Sequence, residues 1–318
     1  MTISKELSGK VKAVSIILII AAHIFGGQLA LMNTQLTSLF GTGGVFCFLF
    51  LSGYGLCVSQ RNKEISFFEF WSRRINTVFV PYIIVTVLYC IALDILFKTI
   101  IPVSIIAKNI VLIDYDRGID GTMWYLSYLV LWYLAFSVLY SLRISPYVRV
   151  FALVCLAYLF FTYHWSFGKC NWQFSVNAFA FPAGVIYAYI APKVQCKIPM
   201  WVKHISVLLC IVLLVYLYIR NGQSSTAYTI RHTLLLIAVV CICAYMEKCV
   251  PLSKALGFVG KNSYYLYLIE GKLIIICSRL GLLKNPALYL IIYAVMLIVC
   301  AVALKYLLDF LEKASVIV

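Results

Sequence analysis

Apolar runs of about 20 residues recur along the whole 318-residue chain, and each is long enough to cross the hydrocarbon core of a bilayer as a helix. A transmembrane β-barrel would instead show strands of about ten residues with alternating polarity. Composition agrees, since 64% of the residues are hydrophobic and only 12% are charged. A soluble globule could not hide so much apolar surface, and a disordered chain would be far more polar. The sequence therefore predicts an all-α, polytopic integral membrane protein.

Hydropathy predicts about ten transmembrane helices, at 13–32, 38–59, 77–97, 123–141, 147–163, 173–191, 200–219, 230–247, 262–280 and 286–308. The longest connection is about 98–122, so no soluble domain fits between them. The first apolar run continues past residues 21–22, which favours an uncleaved helix over a signal peptide. We expect one integral membrane domain over residues 1–318, with no soluble extracytoplasmic domain.

The net charge of +15 fits nucleic acid, an anionic membrane surface or an acidic ligand before the helices are placed. With the N-terminus in the cytoplasm, the predicted inner segments hold more Lys and Arg than the outer ones. This asymmetry is typical of cytoplasmic loops. Ten helices then put both termini in the cytoplasm, and nucleic-acid binding loses its main support.

Most of the 12 cysteines fall within predicted helices, where they act as small apolar residues. The chain contains no Cys-x-x-Cys pair. We therefore expect neither a disulfide framework nor a metal site.

His23 is the first ionisable residue expected deep in the membrane, where such residues are functional candidates. Ten residues separate it from Lys12, a spacing that puts both side chains on one helical face, about 16 Å apart along the axis. An imidazole exchanges its proton near neutral pH, so His23 can deprotonate a hydroxyl or carry an acyl group. The alternative is a structural histidine, with Lys12 as a topology charge.

Two adjacent arginines, Arg73 and Arg74, stand at the predicted cytoplasmic start of the third span. They can be ordinary positive-inside charge. Their planar guanidinium groups can also bind phosphates at a helix N-terminus, such as those of a coenzyme A thioester.

Ser263, Tyr267 and Glu270 are spaced i, i+4 and i+7, so they share one face of the ninth predicted span. Glu270 is expected near the midplane, where a carboxyl group needs a partner or a proton. It is interpreted as an orienting carboxylate or a second acid–base group, or else as a protonated structural residue. Lys272 lies about 200° further round the helix and does not face Glu270.

Other stretches allow structural and functional interpretations. The glycine-rich segment 41–55 predicts close helix packing. Trp124 and Tyr128 open the fourth span on the outer side, as interfacial anchors or as a platform for a sugar. We expect an exposed, solvated loop before them, although sugar hydroxyls could bind its acidic residues, Asp114, Asp116 and Asp120.

Six short motifs occur in a fixed order along the chain. They are Lys12 with His23, Phe48-Leu-Phe-Leu-Ser52-Gly53, Arg74 to Pro81, Trp124-Tyr-Leu126, Phe181-Pro-Ala-Gly184 and Gly260-Lys-Asn-Ser263-Tyr264-Tyr-Leu-Tyr267-Leu268. In this order they resemble the motifs of acyltransferase family 3, over nearly the whole chain. Two positions depart from that pattern: Thr77 stands where the family has a second arginine, and Glu270 where it often has histidine.

The resemblance implies an integral membrane O-acyltransferase that moves an acyl group, commonly acetyl, from a cytoplasmic acyl-coenzyme A to a hydroxyl of a surface or exported polysaccharide. It implies no metal. The expected partners are the glycan acceptor, membrane lipid and the polysaccharide-synthesis machinery, without nucleic acid, in a bacterial plasma membrane.

On this basis we expect His23 and Glu270 to be catalytic, with Glu270 and Tyr267 orienting the imidazole if the ninth helix packs near the first. The expected donor-binding residues are Lys12, Arg73 and Arg74. The expected substrate-binding residues are Trp124, Tyr128, Ser263, Tyr264 and Tyr267.

Three alternatives remain open from the sequence. Ten helices with polar residues near the midplane also suit a transporter or flippase-like component of polysaccharide export. A non-catalytic partner in a synthesis complex is the second. Thr77 and Glu270 are also compatible with a different donor or acyl chain, or with a relative that has lost transferase activity.

Overall fold

The computed structural model describes residues 2–113, 119–163, 171–193, 200–220, 222–246 and 250–314. These residues form helices joined by turns, and they include no β-strand. The prediction of an all-α fold is confirmed. The helices are α1 (Lys5–Ala21), α2 (Thr34–Asn62), α3 (Phe67–Arg74), α4 (Val80–Phe97), α5 (Val103–Ile110), α6 (Trp124–Ser141), α7 (Pro146–Tyr163), α8 (Asn171–Val176), α9 (Ala180–Ile190), α10 (Met200–Ile219), α11 (Ser225–Met246), α12 (Val250–Lys261), α13 (Ser263–Arg279) and α14 (Pro286–Lys313).

Some helices continue into backbone that is not α-helical. A π-helical segment, Ala22–Gln28, extends α1, and a second one, Ile75–Phe79, joins α3 to α4. Short 3₁₀ turns, Gly121–Met123 and Leu282–Lys284, precede α6 and α14.

The chain is a multi-pass membrane protein. Seven helical segments among the described residues are long and apolar enough to cross a membrane: Lys5–Gln28, Thr34–Asn62, Phe67–Phe97, Gly121–Ser141, Pro146–Tyr163, Ser225–Met246 and Pro286–Lys313. Each of these seven segments overlaps one of the predicted spans, whereas the predicted span 173–191 is divided between α8 and α9 by a turn at 177–179. The number ten and the cytoplasmic position of both termini stay predictions.

The first helix begins at Lys5, earlier than the predicted residue 13. The Ser4 side chain caps it by accepting a hydrogen bond from the Leu7 backbone N–H at 3.0 Å. Hydropathy misses this start because the first turns are polar and carry Glu6 and Lys10.

The described residues fall into two compact units. Of these residues, unit 1 comprises those within 2–64, 142–163 and 171–261, and unit 2 comprises those within 65–141 and 262–314. In unit 1, α2 packs against α9 and α1 packs against α12. In unit 2, α13 is the central helix, since every residue from 266 to 274 is buried, and it contacts both α4 and α14.

Glycines let the helices of unit 1 approach each other to backbone contact. A Cβ atom added at Gly53 would lie 2.2 Å from the Phe181 carbonyl oxygen, and one at Gly184 would lie 2.0 Å from the Phe50 carbonyl oxygen. Two of the family-like motifs therefore pack directly against each other. The prediction of close packing by the glycine-rich segment 41–55 is confirmed at Gly53.

The connection between α4 and α6 does not stay at one end of unit 2. After α4 ends at Phe97, α5 runs back along it, and the Tyr82 hydroxyl near the start of α4 donates to the Asn109 carbonyl oxygen at 2.7 Å. Asn109 itself is fully buried. The chain then returns, and Ile119 packs in a core cluster with Tyr89 and Leu93 of α4. The expectation of an exposed, solvated loop before α6 is wrong for Ile119 and Asp120, which are both buried.

Replacing Gly53 with alanine should destabilise the protein by about 3 kcal/mol, because the added methyl group meets a backbone carbonyl that cannot move aside. The matched control is Gly55→Ala on the same helix, where an added Cβ meets no atom within 4 Å. Thermal unfolding in detergent measures both variants. Equal melting temperatures for the two would contradict the backbone contact.

Candidate active site

The candidate residues divide between the two units. Lys12 and His23 belong to unit 1, and all the others belong to unit 2.

His23 lies in the π-helical segment Ala22–Gln28 at the end of α1, and its side chain is half-buried. Single π-helical turns are rare and occur frequently at functional sites, because they redirect side chains and free backbone groups. Lys12, further back on α1, is also half-buried. The geometry thus sets His23 apart from an ordinary helical histidine, although its catalytic role stays a prediction.

Sequence reasoning missed Lys10, which it counted only as topology charge. The Lys10 side chain is 0% exposed and its Nζ donates to Glu6 Oε1 at 2.8 Å, while Glu6 is 69% exposed. The i, i+4 spacing of Glu6 and Lys10 could have predicted this ion pair, because residues four apart are neighbours on the surface of a helix. Unit 1 therefore carries a buried cation two residues before its candidate site residue Lys12.

A second buried polar group in unit 1 is His232, which sequence reasoning also missed. Its Nε2 lies 3.1 Å from the Thr42 hydroxyl, and its side chain is fully buried. The neighbouring Arg231 donates to the carbonyl oxygens of Leu217 and Gly222, at 2.9 and 2.7 Å. The sequence feature that could have identified this buried polar site is the pair of adjacent polar residues, Arg231 and His232, inside an apolar helix. Both residues have structural partners.

In unit 2 the two adjacent arginines have different environments. Arg73 is half exposed and forms an i, i+4 ion pair with Glu69 at 2.5 Å. The Arg74 guanidinium stacks on two rings, 5.3 Å from the centroid of Phe70 and 5.2 Å from that of Tyr133. The buried Nε of Arg74 has no hydrogen-bond partner among the described residues. Arg74 is therefore held in place by aromatic rings with donor capacity left for an anion.

Tyr264 connects α13 to the π-helical segment that follows Arg74. Its hydroxyl donates to the Val78 carbonyl oxygen at 2.8 Å. Thr77, at the position of the missing family arginine, is exposed and donates to the Arg73 carbonyl oxygen at 2.7 Å. The segment that carries Arg74 is thus tied to α13.

Tyr267 makes the corresponding connection to the start of α6. Its hydroxyl donates to the Thr122 carbonyl oxygen at 2.5 Å, and its ring packs edge-on against Tyr125. Tyr264 and Tyr267 therefore both donate to backbone carbonyls and hold irregular segments in place. Ser263, at the first position of α13, is buried. Substrate binding by these three residues stays a prediction.

Trp124 and Tyr128 occupy the first turns of α6. Trp124 is 8% exposed and Tyr128 is fully buried, with its ring edge-on to Trp132. Both face protein in unit 2, and their role towards a substrate stays a prediction.

Glu270 is fully buried in the middle of α13. Lys272 does not need it as a partner, because the Lys272 ammonium lies 3.0 Å from Asp120 Oδ2, with both side chains at most 3% exposed. Sequence reasoning treated Asp120 as part of an exposed acidic loop, which is wrong for this residue. The sequence feature that could have predicted a buried acidic partner is Lys272, because a lysine inside an apolar helix requires a counter-ion. Asp114 and Asp116 lie outside the described residues.

No group of three or more His, Cys, Asp or Glu side chains among the described residues is arranged to hold a metal ion. A family model described as an acyltransferase domain matches residues 11–305. No curated protein and no solved structure matches the chain.

Replacing Tyr264 with phenylalanine should lower the free energy of unfolding by about 1–3 kcal/mol, because it leaves the Val78 carbonyl without this donor. Tyr265→Phe is the matched control, since the Tyr265 hydroxyl lies within electrostatic range of Asp309 and Glu312 on α14 instead. Thermal unfolding in detergent separates the two variants. A larger loss for Tyr265→Phe would contradict the assignment.

Proposed function

The chain belongs to acyltransferase family 3, and from this membership we propose that it transfers an acetyl group from cytoplasmic acetyl-coenzyme A to a hydroxyl of a surface or exported polysaccharide. The membership makes the protein a membrane acyltransferase. The donor, the acyl group and the acceptor are the parts that we propose. The proposed location is a bacterial plasma membrane, beside the machinery that synthesises the polysaccharide.

The observation that carries the proposal is the placement of His23. The residue completes the basic-residue-to-histidine motif of the family, inside a model match that covers residues 11–305. It also lies in a π-helical turn of an apolar helix, where a half-buried imidazole is costly without a purpose.

For the donor, we propose that Arg74 is the principal phosphate-binding residue. Its guanidinium is fixed by two aromatic rings, and a pre-oriented guanidinium binds a phosphate in bidentate fashion at little further entropic cost. Lys12 and Arg73 contribute long-range attraction for the anionic donor. Arg73 does so less strongly, because it forms an ion pair with Glu69.

For the chemistry, we propose that His23 removes the proton from the acceptor hydroxyl as the oxygen attacks the thioester carbonyl. The new carbon–oxygen bond replaces the carbon–sulfur bond, and the imidazolium returns its proton to the departing coenzyme A sulfur. In the covalent variant, the His23 imidazole attacks the thioester carbonyl and displaces coenzyme A, whose sulfur takes up the imidazole proton. The acceptor hydroxyl then attacks the acyl-imidazole, and its proton returns to the ring of His23. Glu270 acts as the second proton-handling group, in the position where the family often has histidine.

For the acceptor, we propose that Trp124 and Tyr128 contact the sugar, together with Ser263, Tyr264 and Tyr267. Aromatic side chains present an apolar face that suits the C–H face of a sugar ring, and hydroxyls suit its polar edge. Membrane lipid surrounds the apolar outer faces of the helices.

Replacing His23 with alanine should reduce acyl transfer at least about 100-fold, because a positioned general base contributes about 10²–10⁴ to the rate. The measurement is transfer of radiolabelled acetyl from acetyl-coenzyme A to polysaccharide extracted from cells that lack the protein. His204→Ala, at an exposed position in the same unit, is the control. Unchanged transfer by the His23 variant would remove its catalytic role, and a protein that only transports would give no acetylated product.

Replacing Arg74 with lysine should raise the KM for acetyl-coenzyme A about tenfold. Lysine keeps the positive charge but lacks the planar guanidinium group that stacks on the two rings and can bind a phosphate through two hydrogen bonds. The matched change Arg73→Lys should alter the same constant by less than about threefold, since exposed ion pairs contribute little. Steady-state kinetics with varied donor at fixed acceptor provides both constants. A larger effect at Arg73 would reverse the proposed roles.

A further inference from the structure

The turn that begins α6 docks on the middle of α13. A Cβ atom added at Gly271 would lie 2.7 Å from both Asp120 Oδ1 and the Thr122 hydroxyl oxygen. Gly271 is equally far from the two ends of α13, Ser263 and Arg279. With a rise of 1.5 Å per residue, the contact lies about 12 Å from either end of this helix.

The predicted span over residues 262–280 places this contact at about half of the membrane depth. A helix of the length of α13 is about 25 Å long, close to the roughly 30 Å of the hydrocarbon core. Irregular backbone at such a depth is tolerated only where it is buried in protein or lines a water-filled cavity. The turn is enclosed on one side, where Ile119, Asp120 and Met123 are at most 2% exposed, while Gly121 in its middle is exposed.

The Asp120 carboxylate holds the turn in one geometry. Its Oδ2 accepts from Lys272, and its Oδ1 accepts from the backbone N–H and the hydroxyl of Thr122, at 2.9 and 2.7 Å. Tyr267, one turn before Gly271 on the same face of α13, donates to the Thr122 carbonyl oxygen. Tyr267, Gly271 and Lys272 of α13 thus contact Asp120 and Thr122 and hold the turn Gly121–Met123 in place.

Stability alone is a poor explanation for this ion pair. A buried ion pair gains little over well-packed apolar side chains of similar volume, since desolvation offsets the attraction. Its distinctive property is that it permits only a narrow range of positions. The residue held in that range is Trp124, which directly follows the turn.

We propose that Asp120 and Lys272 are positioning residues that hold the acceptor-binding start of α6 at mid-membrane depth, so that the acceptor is a glycan chain whose end enters the protein to that level. This inference rests on the proposed function. The glycan end meets Trp124 there, and the ion pair sets the position of the indole ring relative to it. The acetyl group then has only about half of the membrane left to cross.

The test uses the full-length protein in proteoliposomes, with radiolabelled acetyl-coenzyme A as donor and polysaccharide from cells that lack the protein as acceptor. Lys272→Met should lower kcat/KM for the polysaccharide about 100-fold, as expected for a group misplaced by about 1 Å. The KM for acetyl-coenzyme A should stay within about twofold of wild type. Lys272→Arg, which keeps the charge and a donor for Asp120, should restore most of the lost activity.

A second variant keeps the charges and moves only the turn. Gly271→Ala forces Asp120 and Thr122 away from α13, so it should reproduce the acceptor-side loss without a donor-side change. The controls are Lys284→Met, at an exposed lysine of the same unit, and Gly257→Ala, where an added Cβ meets no atom within 4 Å. If Lys272→Met does not accumulate in the membrane, Gly271→Ala and the double variant Asp120→Asn with Lys272→Met decide the question.

The outcomes separate this inference from the proposed function. If the wild type acetylates the polysaccharide but Lys272→Met and Gly271→Ala keep its acceptor kinetics, or lose donor and acceptor kinetics equally, the positioning role is overturned and the proposed function stands. If the wild type transfers no acetyl group to the polysaccharide, the proposed function is overturned, and this inference with it.

Discussion

Polar groups enclosed by apolar helices must be satisfied by other groups of the protein, because hydrocarbon offers no hydrogen bonds, and this requirement arranges each of the two units. In unit 1, Arg231 donates to carbonyl oxygens near the end of α10 and in the following turn. In unit 2, every oxygen of the Asp120 carboxylate has a donor. The few charges inside the bundle are thus tied to defined places, and these places include the irregular segments of the backbone.

Irregular backbone also lies at or directly beside three of the ten candidate residues. His23 lies in a π-helical segment, Arg74 directly precedes another, and Trp124 directly follows a 3₁₀ turn. Regular α-helix saturates its own hydrogen bonds and presents side chains at fixed intervals, so a catalytic site in a membrane bundle depends on such departures. The hydroxyls of Tyr264 and Tyr267 on α13 stabilise two of these departures by donating to their carbonyl oxygens. Substitution of either tyrosine would therefore act on the site through the backbone.

Hydropathy and motif order were sufficient for the all-α fold, for the approximate positions of the seven long apolar helices and for the family. The close approach at Gly53 was also predictable, because a glycine inside an aromatic-rich helix has few other uses. The π-helical segments were not predictable, since a periodicity of 100° per residue assumes the α-helix at the outset. The pairing of Asp120 with Lys272 was not predictable either, because 152 residues separate them and the connection before α6 looked like an ordinary outer loop. Its return into unit 2 depends on tertiary contacts, such as the one between Tyr82 and Asn109.

Mass spectrometry of the surface polysaccharide from cells with and without this protein tests the central claim most directly. The account predicts that the polysaccharide of the complete cells carries acetyl groups on sugar hydroxyls, that these groups are missing without the protein, and that the wild-type protein restores them. An identical acetylation pattern in both cells, with the polysaccharide still exported, would contradict it.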